Sequence, residues 1–272
     1  MTERILVTGA GGRIGTLLCP RMVRPGRLLR LYDRAPLEAG PGVETVTGDI
    51  TDLAAMAEAM EGVDAVVHLA ARSTEAAWEE ILHTNIHGGY VVLEAARRAG
   101  VSRMVLASSN HAVGFHPRSA GTAPDYLFPR PDTYYGVSKV TLEALGSLYA
   151  DRYGMDVVCL RIGYCGPHPL GRHGLATWLS PDDCADLVES CLSAPAPGFR
   201  VVWGVSDNTR RWWSLEEARS LGYEPRDDAE VFAPLWEKDV PAEELDPEGP
   251  TVGGNFCGPH LDADHLEQPD GT

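Results

Sequence analysis

The chain has 272 residues, 44% hydrophobic and 23% charged, which suits one large α/β unit, or one such unit with a small appendage. A formal net charge of −16, with no run of lysine or arginine, argues against a phosphate-binding face and hence against a nucleic-acid partner. No apolar stretch approaches the ~18 residues that a membrane span needs, no signal-peptide core precedes the first strand, and the six cysteines lack CxxC spacing, so a cytoplasmic protein without a structural metal is expected.

The first strand is expected over residues 5–8 and runs into Thr8-Gly9-Ala10-Gly11-Gly12-Arg13-Ile14-Gly15, with a helix over 13–24. Gly9, Gly12 and Gly15 have the spacing of a dinucleotide-binding turn: one for the tight turn, one for backbone approach to a pyrophosphate, one for close helix–strand packing. The free N–H groups at the start of the helix, Arg13 and Ile14 among them, would face the anion. A second strand over 28–32 ends at Asp33, an acid placed to accept ribose hydroxyls and to repel a 2′-phosphate, which favours NAD over NADP. Arg34 beside it is the kind of residue that could serve such a phosphate. A third strand over 44–47 leads to Asp49 and Ile50, expected beside the adenine, and to a helix over 53–60. A fourth over 65–68 is followed by the small residues Leu69, Ala70 and Ala71, which leave room for a cofactor.

A long helix is expected over 76–99, stopped by Gly100. The fifth strand, over 104–107, ends in Ala107-Ser108-Ser109-Asn110-His111. The Pro/Gly-rich stretch 116–131 reads as a functional loop. A helix over 133–153, a strand over 157–161, a helix over 181–193 with Pro181 at its start, and a strand over 200–204 follow. Most strands are continuous apolar runs, as in parallel sheets covered on both faces. The pattern predicts a doubly wound parallel α/β sheet of Rossmann type with a small C-terminal substrate-side lobe. The expected division is a dinucleotide-binding domain over 1–161, the lobe over 162–258, and an acidic tail over 259–272.

Tyr135 and Lys139 lie four residues apart near a helix start, so their side chains share a face. A phenol of pKa near 10 is a poor base at neutral pH. A nearby ammonium favours the phenolate and lets Tyr135 take a hydroxyl proton. A serine at the carboxyl end of the fifth strand can hold a substrate oxygen against Tyr135. His111 also reads as an ordinary loop histidine, and Asn110 as an Asx turn.

These pieces, in this order, resemble the extended short-chain dehydrogenases: the glycine turn, Asp33, His68-Leu69-Ala70-Ala71, Asn85, the paired serines, Tyr135-Gly136-Val137-Ser138-Lys139 and Leu160-Arg161-Ile162-Gly163. Within that superfamily the chain resembles the uronate dehydrogenases. That likeness rests on Ser108-Ser109-Asn110-His111, Gly114-Phe115-His116-Pro117, Ala176-Thr177-Trp178-Leu179-Ser180 and Val201-Val202-Trp203-Gly204. It implies an NAD-dependent oxidation of the anomeric carbon of a sugar acid to an aldarolactone. It selects Ser109 over Ser108 as the third catalytic residue. It places Asn85, Lys139 and Ile162 at the cofactor, and Ser73, Ser109, Asn110, His111, Tyr135, Tyr164, Arg172 and Phe256 at the sugar acid. Tyr164 and Arg72 depart from the family pattern, with bulk and charge where small residues are expected. A homo-oligomer is expected. The rival readings are a nucleotide-sugar epimerase or dehydratase of the same superfamily, and a non-catalytic NAD-sensing protein.

Overall fold

Strands rich in Val, Ile and Leu on both faces can be buried only inside a sheet sandwiched between helices. The computed structural model, which describes residues 2–118, 123–237 and 251–261, has this arrangement. Its strands are β1 (Glu3–Thr8), β2 (Arg27–Asp33), β3 (Val43–Thr47), β4 (Ala65–His68), β5 (Arg103–Ser109), β6 (Asp156–Ile162), β7 (Tyr164–Cys165), β8 (Trp178–Leu179) and β9 (Phe199–Gly204). Seven form one parallel sheet in the order β3-β2-β1-β4-β5-β6-β9, and β7 pairs with β8 apart from it. The order reverses between β1 and β4, so the crevice outside their carboxyl ends is the expected ligand position.

Alternate residues of each strand point to opposite layers. Ile5 and Val7 of β1 pack with Leu18 and Met22 of α1 (Arg13–Met22), while Leu6 packs on the other face with Met56 of α2 (Leu53–Ala59). Each such fully buried aliphatic side chain stabilises the fold by roughly 1.5–3 kcal/mol. The helix expected over 76–99 is interrupted. It comprises α3 (Trp78–Ile81), a turn of π-helix (Leu82–His87) and α4 (Gly88–Ala99). The π turn brings Asn85 inward, where its amide accepts from the Arg72 backbone N–H and donates to the Arg72 carbonyl and Ser138 Oγ. α1 stops at Met22, short of the expected Arg24, because a residue before proline, here Pro25, avoids the helical region.

The helix that carries Tyr135 and Lys139 is α5 (Tyr134–Tyr153), and Thr133 is its N-cap, accepting from the Gly136 N–H at 3.0 Å. Beyond β6 the chain forms α6 (Gly171–Thr177), α7 (Pro181–Ser193), which packs on α1, α8 (Glu216–Ser220) and α9 (Ala233–Glu237). β9 pairs with β6, and the stacked indoles of Trp203 and Trp213, 4.4 Å apart, tie this edge to the segment before α8. The segment 251–261 returns to the loop after β5: the Val252 N–H donates to the His116 carbonyl and the Gly253 N–H to the Gly114 carbonyl. The tail expected over 259–272 lies outside the described residues from 262 onward. Among the described residues no helix is long and apolar enough to cross a membrane.

Candidate active site

The glycine turn between β1 and α1 is built as the spacing predicts. Gly9 has φ +71°, and a Cβ there would stand 2.6 Å from the Ala70 nitrogen; one on Gly15 would stand 2.4 Å from the Ala10 carbonyl. No side chain fits either place, so only glycine lets the turn close tightly on the loop after β4 and on α1, whose first N–H groups would face an anion. Asp33, at the end of β2, accepts from the Gly11 N–H at 2.9 Å and the Ala35 N–H at 3.1 Å. Both bonds fix its carboxylate at the lip of the groove. Gly12, Arg13, Ile14, Arg34, Asp49, Ile50, Leu69, Ala70, Ala71 and Ile162 line the same groove, with Ser73, Ser109, Tyr135, Lys139 and Tyr164 toward its far end. These residues fit NAD: a cradle no Cβ can enter for the diphosphate, and an anchored acid for the ribose. Hydrogen bonds from Thr51 are the main cause that lowers the Asp49 pKa, with the charges of Arg34 and His83 also contributing. Asn85 does not line the groove. Its amide is spent on Arg72 and Ser138, so it clips the loop after β4 to α5 rather than facing the cofactor.

Tyr135 and Lys139 are both buried, at 8% and 5% exposure. The Lys139 ammonium lies 5.4 Å from the Tyr135 ring centroid and donates to the Ala107 carbonyl at 2.7 Å. Burial pushes the Tyr135 phenol up to about 12; a hydrogen bond from Ser109 and the charge of Arg13 pull it down, and Asp132 pushes it further up. Burial pulls Lys139 down to about 8, against the upward pull of Cys159 and Glu143. Burial thus disfavours the charged form of both groups, and a positive charge arriving in the groove would favour the phenolate. The two serines at the end of β5 have separate duties. Ser108 Oγ donates to Glu143 at 2.6 Å, within a buried Glu143–Arg161 pair. Ser109 Oγ donates to Asn110 Oδ1 at 3.2 Å, accepts from the His111 N–H at 3.2 Å, and is the serine whose hydroxyl pulls the Tyr135 phenol down.

Residues missed in the sequence hold Tyr135 in place. The buried Glu75 carboxylate accepts from the Tyr134 and Tyr135 N–H groups at 3.0 and 2.7 Å. Ser138 Oγ donates to the Tyr135 carbonyl. Glu75 stands in a loop of the sequence without any local signal; only the proximity of that loop to α5 makes it a cap.

The predicted sugar-side residues divide. His111 stands edge-on to Tyr135 with ring centroids 5.8 Å apart, and Phe256 stacks on His111 at 4.0 Å. Asn110 Nδ2 donates to the Val252 carbonyl, so its amide fastens the 251–261 segment. Tyr164 faces Arg13 across the groove, with the guanidinium 5.7 Å from its ring centroid. Ser73 is exposed at the groove wall. Arg172, on α6, lies outside the groove lining. Its Nη1 is buried without a hydrogen-bond partner, and its charge helps lower the pKa of Glu237 on α9. The Arg72 guanidinium pairs with Glu80 at 3.3 Å.

A model of the NAD dependent epimerase/dehydratase family matches residues 5–189. Uronate dehydrogenase of Pseudomonas putida is 44% identical over 257 residues, covering 94% of this chain and 96% of that protein. Among solved structures, a mutant of uronate dehydrogenase from Agrobacterium tumefaciens complexed with NAD superposes with a TM-score of 0.88 at 39% identity, covering 94% of this chain and 97% of that one. Glucuronic acid dehydrogenase from Chromohalobacter salexigens superposes with a TM-score of 0.90 at 36% identity, covering 97% and 100%.

Proposed function

This chain belongs to the NAD dependent epimerase/dehydratase family, and from that premise we propose that it oxidises the anomeric carbon of a hexuronic acid, such as glucuronate or galacturonate, to an aldarolactone. It is an NAD-dependent oxidoreductase. When bound, NAD supplies the hydride acceptor. Tyr135 Oη takes the proton of the anomeric hydroxyl, Ser109 Oγ orients that oxygen, and the Lys139 ammonium favours the phenolate. Residues 1–161 carry most of the dinucleotide contacts, and the 162–258 lobe supplies Tyr164 and Phe256 to the sugar side, where Phe256 stacks on His111 and Ser73 stands at the groove wall. Arg172 is the proposed partner of the sugar carboxylate, by a turn of its side chain from Glu237 toward the groove; a planar guanidinium suits a carboxylate. The exposed Tyr90 of α4 and Leu148 and Tyr153 of α5 support association of copies through that face, and the cytoplasm is the proposed location.

The observation that carries this reading is that the likeness to uronate dehydrogenases runs over nearly the whole chain, well past the dinucleotide half. The test is incubation with NAD and a panel of uronates, neutral sugars and UDP-sugars, following NADH. NADH is expected with uronates alone. NADH with neutral sugars only would remove the substrate assignment, and UDP-sugar conversion without net NADH would favour an epimerase. Tyr135→Phe is expected to abolish turnover and to keep NAD binding.

A further inference from the structure

Behind His111 stands a carboxylate to which the proposed reaction has so far given no part. Asp132 precedes the N-cap of α5, and its side chain is wholly buried. Its Oδ2 lies 2.7 Å from His111 Nδ1, and Thr133 Oγ1 donates to its Oδ1 at 3.0 Å. Cys257 Sγ, donating to the Gly114 carbonyl, stands 3.9 Å from the same Oδ2. The chamber that holds this carboxylate exists because two glycines from distant segments lack side chains. A Cβ on Gly114 would lie 1.8 Å from Asp132 Oδ2, and one on Gly253 would lie 2.0 Å from it. A wholly buried carboxylate needs partners for its oxygens, and here the chain gives it an imidazole. That imidazole is also stacked on Phe256 and set edge-on to Tyr135.

We propose that Asp132 is a positioning residue for the oxidation: it holds His111 as the Nδ1–H tautomer and so presents Nε2 to the sugar acid as a hydrogen-bond acceptor. The assignment follows from donor and acceptor capacity. An ionised carboxylate only accepts, so the hydrogen between Asp132 and His111 belongs to Nδ1, and a neutral ring then has a bare Nε2. A sugar ring offers hydroxyl donors on every face, which a bare Nε2 can take and an Nε2–H cannot. Because Gly253 and Cys257 close the chamber, docking of the 251–261 segment and orientation of His111 are one event. Phe256 then fixes the ring plane. The inference deepens the uronate reading and rests on it.

The test joins a spectroscopic readout with kinetics. In protein labelled with ring-15N histidine, with His111→Gln used to assign the signal, His111 is expected to carry its proton on Nδ1. Asp132→Asn is expected to lose that pure tautomer. It should raise KM for glucuronate by about threefold to tenfold, the worth of one hydrogen bond between neutral groups, with a smaller fall in kcat and an unchanged KM for NAD. Gly253→Ala has an ordinary helical φ of −81°, so its expected rise in KM comes through Asp132. In an Asp132→Ala background the same glycine change is expected to add little. A wild-type His111 protonated on Nε2 alone overturns the proposal. So does an Asp132→Asn protein whose glucuronate KM is unchanged, or whose two KM values rise together with a loss of melting temperature. Should the wild-type protein oxidise no uronate, the reaction reading fails, and the nitrogen spectrum still decides the tautomer. Should Asp132→Asn fail to fold, Gly253→Ala and the wild-type spectrum carry the test.

Discussion

Replacing Lys139 by methionine keeps the length of the side chain and removes one positive charge 5.4 Å from the Tyr135 ring centroid. With the phenolate charge taken at the ring centre and an effective dielectric constant near 20, the two unit charges interact by about 3 kcal/mol. One pKa unit is 1.36 kcal/mol, so the loss is worth roughly two units on the Tyr135 phenol. The direction is upward, because the missing ammonium favoured the phenolate. If the phenolate is the proton acceptor, kcat/KM for the uronate climbs with pH through the phenol's pKa. The climb in the Lys139→Met protein should therefore be displaced to higher pH by about two units. Near neutrality, on the acid side of both curves, activity should be about a hundredfold lower, and much of it should return in alkaline buffer. The assay is NADH formation at saturating NAD across the pH range, with circular dichroism to check the fold, since the Ala107 carbonyl loses a donor. A hundredfold loss with an undisplaced curve would refute the reasoning: the lysine would then be holding a ligand, and the phenol would not be the group it tunes.

Two further outcomes follow from groups beside this pair. Asp33→Asn removes the negative charge but keeps an oxygen to accept from Gly11; the preference for NAD over NADP, measured as the ratio of kcat/KM values, should fall by about tenfold or more, because like charges no longer meet and Arg34 is at hand. An unchanged ratio would place the discrimination elsewhere. His68, buried against Thr8 Oγ1 at 2.7 Å, is pulled from 6.5 to about 3 by burial and by Lys139. Below pH 6.5 the unfolded chain binds a proton that the folded chain refuses, so this contribution is fully present above that pH and is lost as pH falls toward 3. At pH 5 the cost is about 2 kcal/mol. Urea unfolding at pH 7 and pH 5 should show His68→Asn losing less stability than the parent over that interval, and equal losses would sink the assignment.

The sheet was legible because its strands are short apolar runs separated by turn signals, and the cofactor groove because Gly9, Gly12, Gly15 and Asp33 act through spacing along a single stretch of chain. The break in the helix over 76–99 was not legible. It depends on Asn85 finding partners at Arg72 and Ser138, which no local pattern contains. Asp132 was hidden for a related reason. Next to proline and ahead of a helix it reads as a turn or cap residue, yet Thr133 does the capping and the aspartate turns to His111. Arg172 shows the converse: a family likeness proposes its role, and the fold leaves it on α6, outside the groove lining. Contacts within a segment are written in the sequence; contacts between segments are written only in the fold.

The segment 251–257 lies against the loop after β5 and brings Phe256 to His111, and this sets an order of events at the ribosome. A nascent chain can assemble β1 through β6, and with them the cofactor groove, long before residue 252 has left the exit tunnel. Until it does, Asn110 lacks the carbonyl it holds and the chamber around Asp132 is open on the Gly253 side. The surroundings of His111 are therefore completed by a segment made after every strand that builds the cofactor groove.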